Sequence, residues 1–324
     1  MGLLLGNKAI LVALTYKCNA YCKKCMTRYH RNRDTEMSEF LLHVLLKKLK
    51  LTDFPGIISV GSGEPLLYGN LEFFISSILS INSKISLRIL SNGLIFDETL
   101  PDIFFDKRVK WGITLDAFTQ RNLLGFQYGI DIEKVKDNIR RVTRKYGSDS
   151  IYLNYTLTRA NYYEFLNFCD FAVNLGIREI YATELKVYEH YEKRLEAFVL
   201  PHDDDVYATM NRASEFLRSV GIRDNGVKIF MPYNKVSCFT SNRASPIIDV
   251  DGSVSFCSGR EDVLVGNITD YDIAEKWENM SKKIKPVEFC CLCHPHQLKN
   301  GTYNLPGVID VDKLKRENFS GVGV

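Results

Sequence analysis

Short apolar runs alternate with amphipathic stretches along roughly the first 190 residues. Lys8 to Tyr16 is an apolar run with β-branched members and predicts a buried strand. Ser38 to Leu49 repeats its apolar positions at helical spacing. Ile57 to Val60 predicts a short strand that ends in Gly61-Ser62-Gly63-Glu64-Pro65, a turn by composition. Leu71 to Ile81 predicts a helix, and Ile85 to Leu90 a strand ending at Ser91-Asn92-Gly93. Val109 to Leu115 predicts a strand ending at Asp116. Then come a helix over Ile132 to Tyr146, charged on one face, a strand over Ile151 to Leu157, a helix over Tyr162 to Leu175 and a strand over Ile177 to Thr183. Six strand–helix units in succession predict a parallel sheet with helices outside it. Six are too few to close an eight-fold barrel, so the expected fold class is α/β: a partial, TIM-like (β/α)6 barrel left open. Ligands in such folds gather at the C-terminal ends of the strands. The loops beginning at Lys17, Gly61, Ser91 and Asp116 all follow strands and are expected on that one face.

The pattern changes after about Glu184. Val206 to Val220 reads as a helix, and His202 to Asp205 as its capped, acidic start rather than a metal site. From Asn225 to Asn300 the chain is turn-rich and cysteine-bearing. Within it, Pro246 to Cys257 alternates around Asp251-Gly252, a hairpin signal. A boundary near residue 225 divides the chain into 1–224, the barrel, and 225–324, a small cysteine-rich domain and tail. The tail from Asp310 to Val324 is charged, then glycine-rich, and is expected to fray.

Composition narrows the classes. Of 324 residues, 45% are hydrophobic and 25% charged, which is ordinary for a globular chain. A net charge of +3 without a dense Lys/Arg run argues against nucleic acid as a partner. No apolar window reaches the length of a membrane span. The apolar stretch from Gly2 to Tyr16 is interrupted by Lys8 and lacks a cleavage site, so a cytoplasmic location is expected. Nine cysteines then need a reason other than disulfides, and metal ligation supplies one because most are clustered.

Cys18, Cys22 and Cys25 follow the first strand in the spacing C-x3-C-x2-C. Thiolates suit both iron–sulfur clusters and zinc. Three of them leave one iron of a four-iron cluster without a protein ligand, the logic of an open catalytic site. Zinc with His30 as a fourth ligand is the alternative. This segment resembles the signature of the radical S-adenosylmethionine (SAM) superfamily, and the resemblance runs from about residue 8 to 190. Gly61-Ser62-Gly63-Glu64-Pro65 is similar to that family's loop after strand two, where Gly61, Gly63 and Glu64 would meet the methionine amino group. Glycine permits close backbone approach, and a carboxylate partners an ammonium. Ser91-Asn92-Gly93 resembles the loop after strand three, and Thr114-Leu115-Asp116 the end of strand four, where ribose and carboxylate groups of SAM are met. The chain departs from the family twice. Lys24 stands where an aromatic residue usually precedes the third cysteine, with Tyr21 or Tyr29 as substitutes. An arginine after strand four is absent, with Arg121 or Arg159 as replacements.

Cys238, Cys257, Cys290 and Cys293 lie on two arms joined through the Gly252 hairpin and resemble the twitch module, the shorter form of the SPASM domain. The resemblance implies one auxiliary 4Fe–4S cluster, with Cys291 spare or replacing Cys290. A structural zinc knuckle using Cys290, Cys293 and His294 or His296 is the alternative. It also implies SAM as cofactor, a 4Fe–4S cluster on the first group and an electron donor of flavodoxin or ferredoxin type. Reductive cleavage of SAM would yield a 5′-deoxyadenosyl radical that takes hydrogen from a substrate C–H bond. The expected outcome is oxidative modification of a ribosomally made peptide. Dehydrogenation of an aminocyclitol or sugar and a non-catalytic zinc scaffold are the alternatives. Glu184, just past strand six, is the candidate for substrate contact or proton transfer. Cys169 reads as a small buried hydrophobe. Tyr152, Tyr155 and Tyr181 lie on strands, as core residues or facing the lumen.

Overall fold

The computed structural model describes residues 9–22, 24–25, 32, 34–120, 127–185, 204–222, 227–230, 245–256 and 264–283. In chain order these form β1 (Ala9–Ala13), β2 (Tyr21–Cys22), α1 (Glu39–Leu51), β3 (Ile57–Gly61), α2 (Leu71–Ile81), β4 (Ser86–Ser91), β5 (Val109–Thr114), β6 (Gln127–Tyr128), α3 (Ile132–Tyr146), β7 (Ile151–Leu157), α4 (Phe165–Asn174), β8 (Ile180–Glu184), α5 (Asp204–Ser219), β9 (Val227–Phe230), β10 (Ile247–Ile248), β11 (Ser253–Ser255), β12 (Leu264–Asn267) and α6 (Ile273–Lys283).

The strands form because β-branched and large apolar residues occupy alternate positions, and the two faces have different fates. Ile10 and Val12, Ile58 and Val60, Leu87 and Ile89, and Trp111 and Ile113 are fully or almost fully buried. On β7, Tyr155 joins them by packing on Phe165 and Phe168 of α4. That settles Tyr155 as a core residue, its hydroxyl donating to the Asn161 carbonyl at 2.8 Å. Helix α2 answers with Leu71, Phe74, Ile75, Ile78 and Leu79 at the spacing of one helical face. Local signals set the helix ends. The Ser38 side chain accepts from the Leu41 amide at the start of α1, and Asp131 caps α3 by accepting from Lys134 N.

The main sheet runs β12-β11-β10-β1-β3-β4-β5-β7-β8-β9. From β10 through β9 every neighbouring pair is parallel, while β10-β11 and β11-β12 are antiparallel. Its two ends do not pair, so the barrel is partial and open, as the strand–helix count predicts. The region from 225 to 300 holds more regular structure than its turn-rich composition suggests. There β9 joins the sheet beside β8, β12 completes an antiparallel hairpin, and α6 lays Trp277 on Phe256 with ring centroids 3.7 Å apart. Among the described residues no helix is long and apolar enough to cross a membrane.

The inward faces of the strands are polar. Arg88 on β4 donates to Glu179 at 2.6 Å and to the Tyr181 hydroxyl at 3.0 Å, and Lys110 on β5 donates to Glu179 at 2.6 Å. Tyr152 and Tyr181 meet edge to face at 5.3 Å, with the Arg88 guanidinium 5.2 Å from the Tyr152 ring centre. Burial alone would raise the Glu179 pKa, but hydrogen bonds from Lys110, Tyr181 and Arg88 hold it down at about 2.

Gly112 is opposite Tyr152 in this floor, and a Cβ there would lie 2.4 Å from the Tyr152 ring. Gly112→Ala should therefore lower stability by about 1–3 kcal/mol through overpacking. Urea unfolding checks this, and adding Tyr152→Leu should make the pair cost less than the sum of the singles.

Candidate functional site

The loop after β1 is held down before its cysteines are reached. Thr15 bridges Glu36, and Tyr16 N donates to the Thr35 carbonyl at 2.8 Å. The Tyr16 hydroxyl donates to Asp249 in the β10–β11 turn, tying the loop to the C-terminal hairpin. Farther along, β2 pairs antiparallel with β6, matching Tyr21 to Tyr128 and Cys22 to Gln127. Cys18, Cys22 and Cys25 are half-buried, and none is in a disulfide. Their sulfurs do not form a ready-made metal group, since no cluster of three or more Cys, His, Asp or Glu side chains at metal-binding spacing occurs among the described residues. Burial pushes the Cys22 thiol up to about 12, with Lys24 pulling it down in part, so iron would have to displace that proton.

The turn after β3 lies against this loop at the closest approach the backbone allows. Ser62 and Gly63 both take φ of +68°, a left-handed pair. A Cβ on Gly63 would sit 2.4 Å from the Thr15 carbonyl oxygen and 2.7 Å from that of Lys17. The Glu64 amide donates to the Lys17 carbonyl at 2.7 Å. The missing side chain of Gly63 thus makes room for the cysteine loop itself. Ser62 accepts the left-handed geometry without being glycine, a strain of the kind that collects at functional sites. Gly61 ends β3 on the inward face, where a Cβ would only touch Leu90 at 3.5 Å.

Glu64 is fully buried. It accepts from the Ser91 hydroxyl at 2.9 Å, the Asn92 amide at 2.8 Å and the Leu66 amide at 3.3 Å. Among the described residues no cation pairs with it. Burial therefore raises its pKa from 4.5 to about 7, against the pull of those hydrogen bonds. Asn92 also reaches the cysteine loop, donating to Asn19 at 2.7 Å and contacting the Cys18 sulfur at 3.8 Å. Cys18, Glu64, Ser91 and Asn92 are thereby one connected unit spanning the ends of β1, β3 and β4.

Asp116 follows β5 and is also buried, but it has a cation. Lys24, between Cys22 and Cys25, forms an ion pair with it and donates to the Thr156 hydroxyl at 2.6 Å. Thr156 N donates to Asp116 at 3.0 Å. One inward step down β7, the Asn154 amide nitrogen is buried and has no hydrogen-bond partner among the described residues. Thr156 and Asn154 do not stand out in the sequence, and Lys24 does so only as a departure from the family pattern. Only the period-two alternation of β7 places Tyr152, Asn154 and Thr156 on one face. Arg159 is exposed two residues past β7, and Glu184 is the last residue of β8, paired with Leu157. Cys169 is buried in α4, its thiol pushed up to about 12 by burial. Tyr21 is half exposed. Arg121, Tyr29, His30, Cys238, Cys257, Cys290, Cys291, Cys293, His294 and His296 lie outside the described residues.

A family model described as the Radical SAM superfamily matches residues 12–172. A probable GTP 3′,8-cyclase of Saccharolobus islandicus is 22% identical over 291 residues, covering 84% of this chain and 89% of that protein. A probable GTP 3′,8-cyclase of Sulfolobus acidocaldarius is 25% identical over 288 residues, covering 82% and 87%. Streptococcus suis SuiB bound to S-adenosylmethionine has a TM-score of 0.66 at 13% identity, covering 86% of this chain and 68% of that one. Native anSMEcpe with bound AdoMet and Cp18Cys peptide has a TM-score of 0.67 at 17% identity, covering 85% and 81%. At these identities the likeness to solved structures is one of fold.

The raised pKa of Glu64 fixes the sign of a pH effect. Its folded value of about 7 exceeds the ordinary carboxyl value of 4.5, so its contribution to stability is fully present below about 4.5 and is lost as pH rises through about 7. In urea unfolding of the metal-free protein between pH 5 and 8, the wild type should lose stability relative to Glu64→Gln as pH rises. A difference that stays flat across that range would contradict this account of Glu64.

Proposed function

We propose, from the premise that the chain belongs to the Radical SAM superfamily through residues 12–172, that Cys18, Cys22 and Cys25 hold a 4Fe–4S cluster and that Glu64 receives the ammonium group of SAM beside it. The observation that carries this reading is the buried Glu64 carboxylate, hydrogen-bonded on both oxygens yet paired with no cation among the described residues, one bonded step from the cysteine loop. An ammonium bound there would lift the cost of burying its charge. The donor set fits the cluster in kind, three thiols in one half-buried loop after a parallel strand. The bound group would supply one-electron cleavage of the sulfonium C–S bond, giving a 5′-deoxyadenosyl radical that removes hydrogen from a substrate C–H bond.

The protein's own residues position and enclose. Ser91 and the Asn92 amide fix the Glu64 carboxylate, and Gly63 lets its loop close on Thr15 and Lys17. The Asn154 amide is a donor held for an oxygen of the bound cofactor or substrate, because a buried donor left without a partner is costly. Asp116 holds the cysteine loop through Lys24 and borders the ribose side of the site. Arg159, exposed two residues past β7, is the proposed cation for the SAM carboxylate, and Glu184, at the end of β8, the proposed acid or base. Cys238, Cys257, Cys290 and Cys293 are proposed to hold an auxiliary cluster in a second unit spanning 225–324. It would take up the electron released when a substrate radical is oxidised. A flavodoxin- or ferredoxin-type donor in the cytoplasm would reduce the first cluster.

Two substrate classes are proposed in order. The sequence relatives are named GTP 3′,8-cyclases and align over 82–84% of this chain, which puts a guanine nucleotide first. Oxidative modification of a ribosomally made peptide is second, favoured by the paired cysteine groups. Dehydrogenation of an aminocyclitol or sugar has no separate support in the described residues.

Anaerobic reconstitution with iron and sulfide tests the core of this reading. The outcome expected is about four irons per chain on the first group, about eight with the auxiliary cluster, and reductive release of 5′-deoxyadenosine from SAM. Replacing Cys18, Cys22 and Cys25 by alanine together should abolish that release. Glu64→Gln should weaken SAM binding by about a hundredfold or more, the scale of removing one partner of a buried ion pair. Turnover of GTP coupled to 5′-deoxyadenosine would favour the nucleotide class. Tight zinc with no SAM cleavage would leave only a metal-binding scaffold.

A further inference from the structure

The residue between the second and third cysteines has a position of its own in the fold. Lys24 is not aromatic, so it cannot pack as the family's usual residue does. Its side chain is only 17% exposed and crosses from the cysteine loop to the ends of two barrel strands. There it pairs with Asp116, whose side chain is 0% exposed, and donates to the Thr156 hydroxyl. The receiving end is rigid. Asn161 donates to the Asp116 carbonyl at 2.6 Å and to the Thr156 carbonyl at 2.7 Å, while its side-chain oxygen accepts from Thr158 N at 2.7 Å. At the other end, β2 pairs with β6 over two residues and the Cys25 amide donates to the Cys22 carbonyl at 3.1 Å.

We propose that Lys24 is a positioning residue that straps the cluster loop to the ends of β5 and β7, and that its ammonium, between two cluster ligands, makes the cluster easier to reduce. The second half rests on the function proposed above; the first does not. The strap follows from burial. An Asp116 carboxylate closed off from water keeps its cation, because an uncompensated buried charge is far costlier than a paired one. Loop and strand ends are then held together by charge. The electrostatic half follows from the sign of the change, since reduction adds negative charge and a fixed cation nearby favours the reduced state. Asp116 carries the opposite charge and opposes that effect. Loss of either residue would release the loop, yet the two losses would move the potential in opposite directions.

The strap is tested on the full-length, metal-free chain by amide hydrogen exchange across residues 17–25. Lys24→Met and Asp116→Asn should each speed exchange there on the order of tenfold, with strands β3 and β4 unaffected. Lys24→Arg should keep exchange near the wild-type rate. The double variant Lys24→Met with Asp116→Asn removes the unpaired charge, so its folding recovers while the loop exchanges as fast as in the singles. Unchanged exchange in both Lys24→Met and the double variant overturns the strap. The charge effect is read on the anaerobically reconstituted protein by an EPR-monitored reductive titration. Lys24→Met should lower the cluster potential, Asp116→Asn should raise it, and Lys24→Arg should leave it near the wild type. Shifts of the same sign, or none, overturn the electrostatic half. A chain that takes up no iron–sulfur cluster would refute the proposed function and with it that half, while the exchange result still decides the strap.

Discussion

Arg88 and Lys110 leave neighbouring strands and converge on Glu179, which directly precedes β8, with β5 and β7 between Arg88 and its partner in the sheet. Parallel strands are spaced about 4.8 Å apart, so three spacings on a flat sheet would put that carboxylate beyond reach of most side chains. The ion group exists because the sheet curls, and it supports the curl by filling the bottom of the lumen. Tyr152, Tyr181 and the bare Gly112 complete the layer. Everything at the other end depends on that curvature. It turns the ends of β1, β3, β4, β5 and β7 toward one mouth, where residues distant in sequence meet.

Two buried carboxylates stand at that mouth in opposite states. Asp116 already has its cation, supplied by Lys24, and accepts from the Thr156 amide. Glu64 has donors but, among the described residues, no cation, and burial raises its pKa. The contrast assigns different tasks. A satisfied pair holds a loop in place, whereas a charge stabilised only by dipoles attracts a positively charged ligand. Both acids sit beside the same nine-residue run from Lys17 to Cys25, one at each end of it. The site is therefore set on the β5–β7 side and receptive on the β3–β4 side.

The strand–helix alternation was legible where packing is local. Helices α2 and α3 and strand β7 begin and end where periodicity puts them, because each buries one regular face and has its own cap or turn. The Glu64–Ser91–Asn92 unit was legible through turn motifs placed at strand ends, although the use of Gly63 to admit backbone rather than ligand was not. Lys24 was visible only as a departure from a pattern. Its partners are 92 and 132 residues away, and nothing in a local window encodes such a meeting. The same holds for β10, two residues long, which finds β1 across more than 230 positions. Helix α6 escaped notice because a cysteine-bearing, turn-rich composition around it hides a short amphipathic stretch.

That last pairing has a consequence for how the chain is made. Leu11 and Val12 leave the ribosome 236 residues before their β10 partners Ile247 and Ile248. Until β10 is made, β1 lacks its neighbour on that side, and an unpaired strand edge is prone to wrong pairings. The cysteine loop grows directly from that edge, and Tyr16 waits for Asp249 in the same late hairpin. The nascent chain thus carries its three thiols beside an unfinished edge for the 236 residues that separate Leu11 from Ile247.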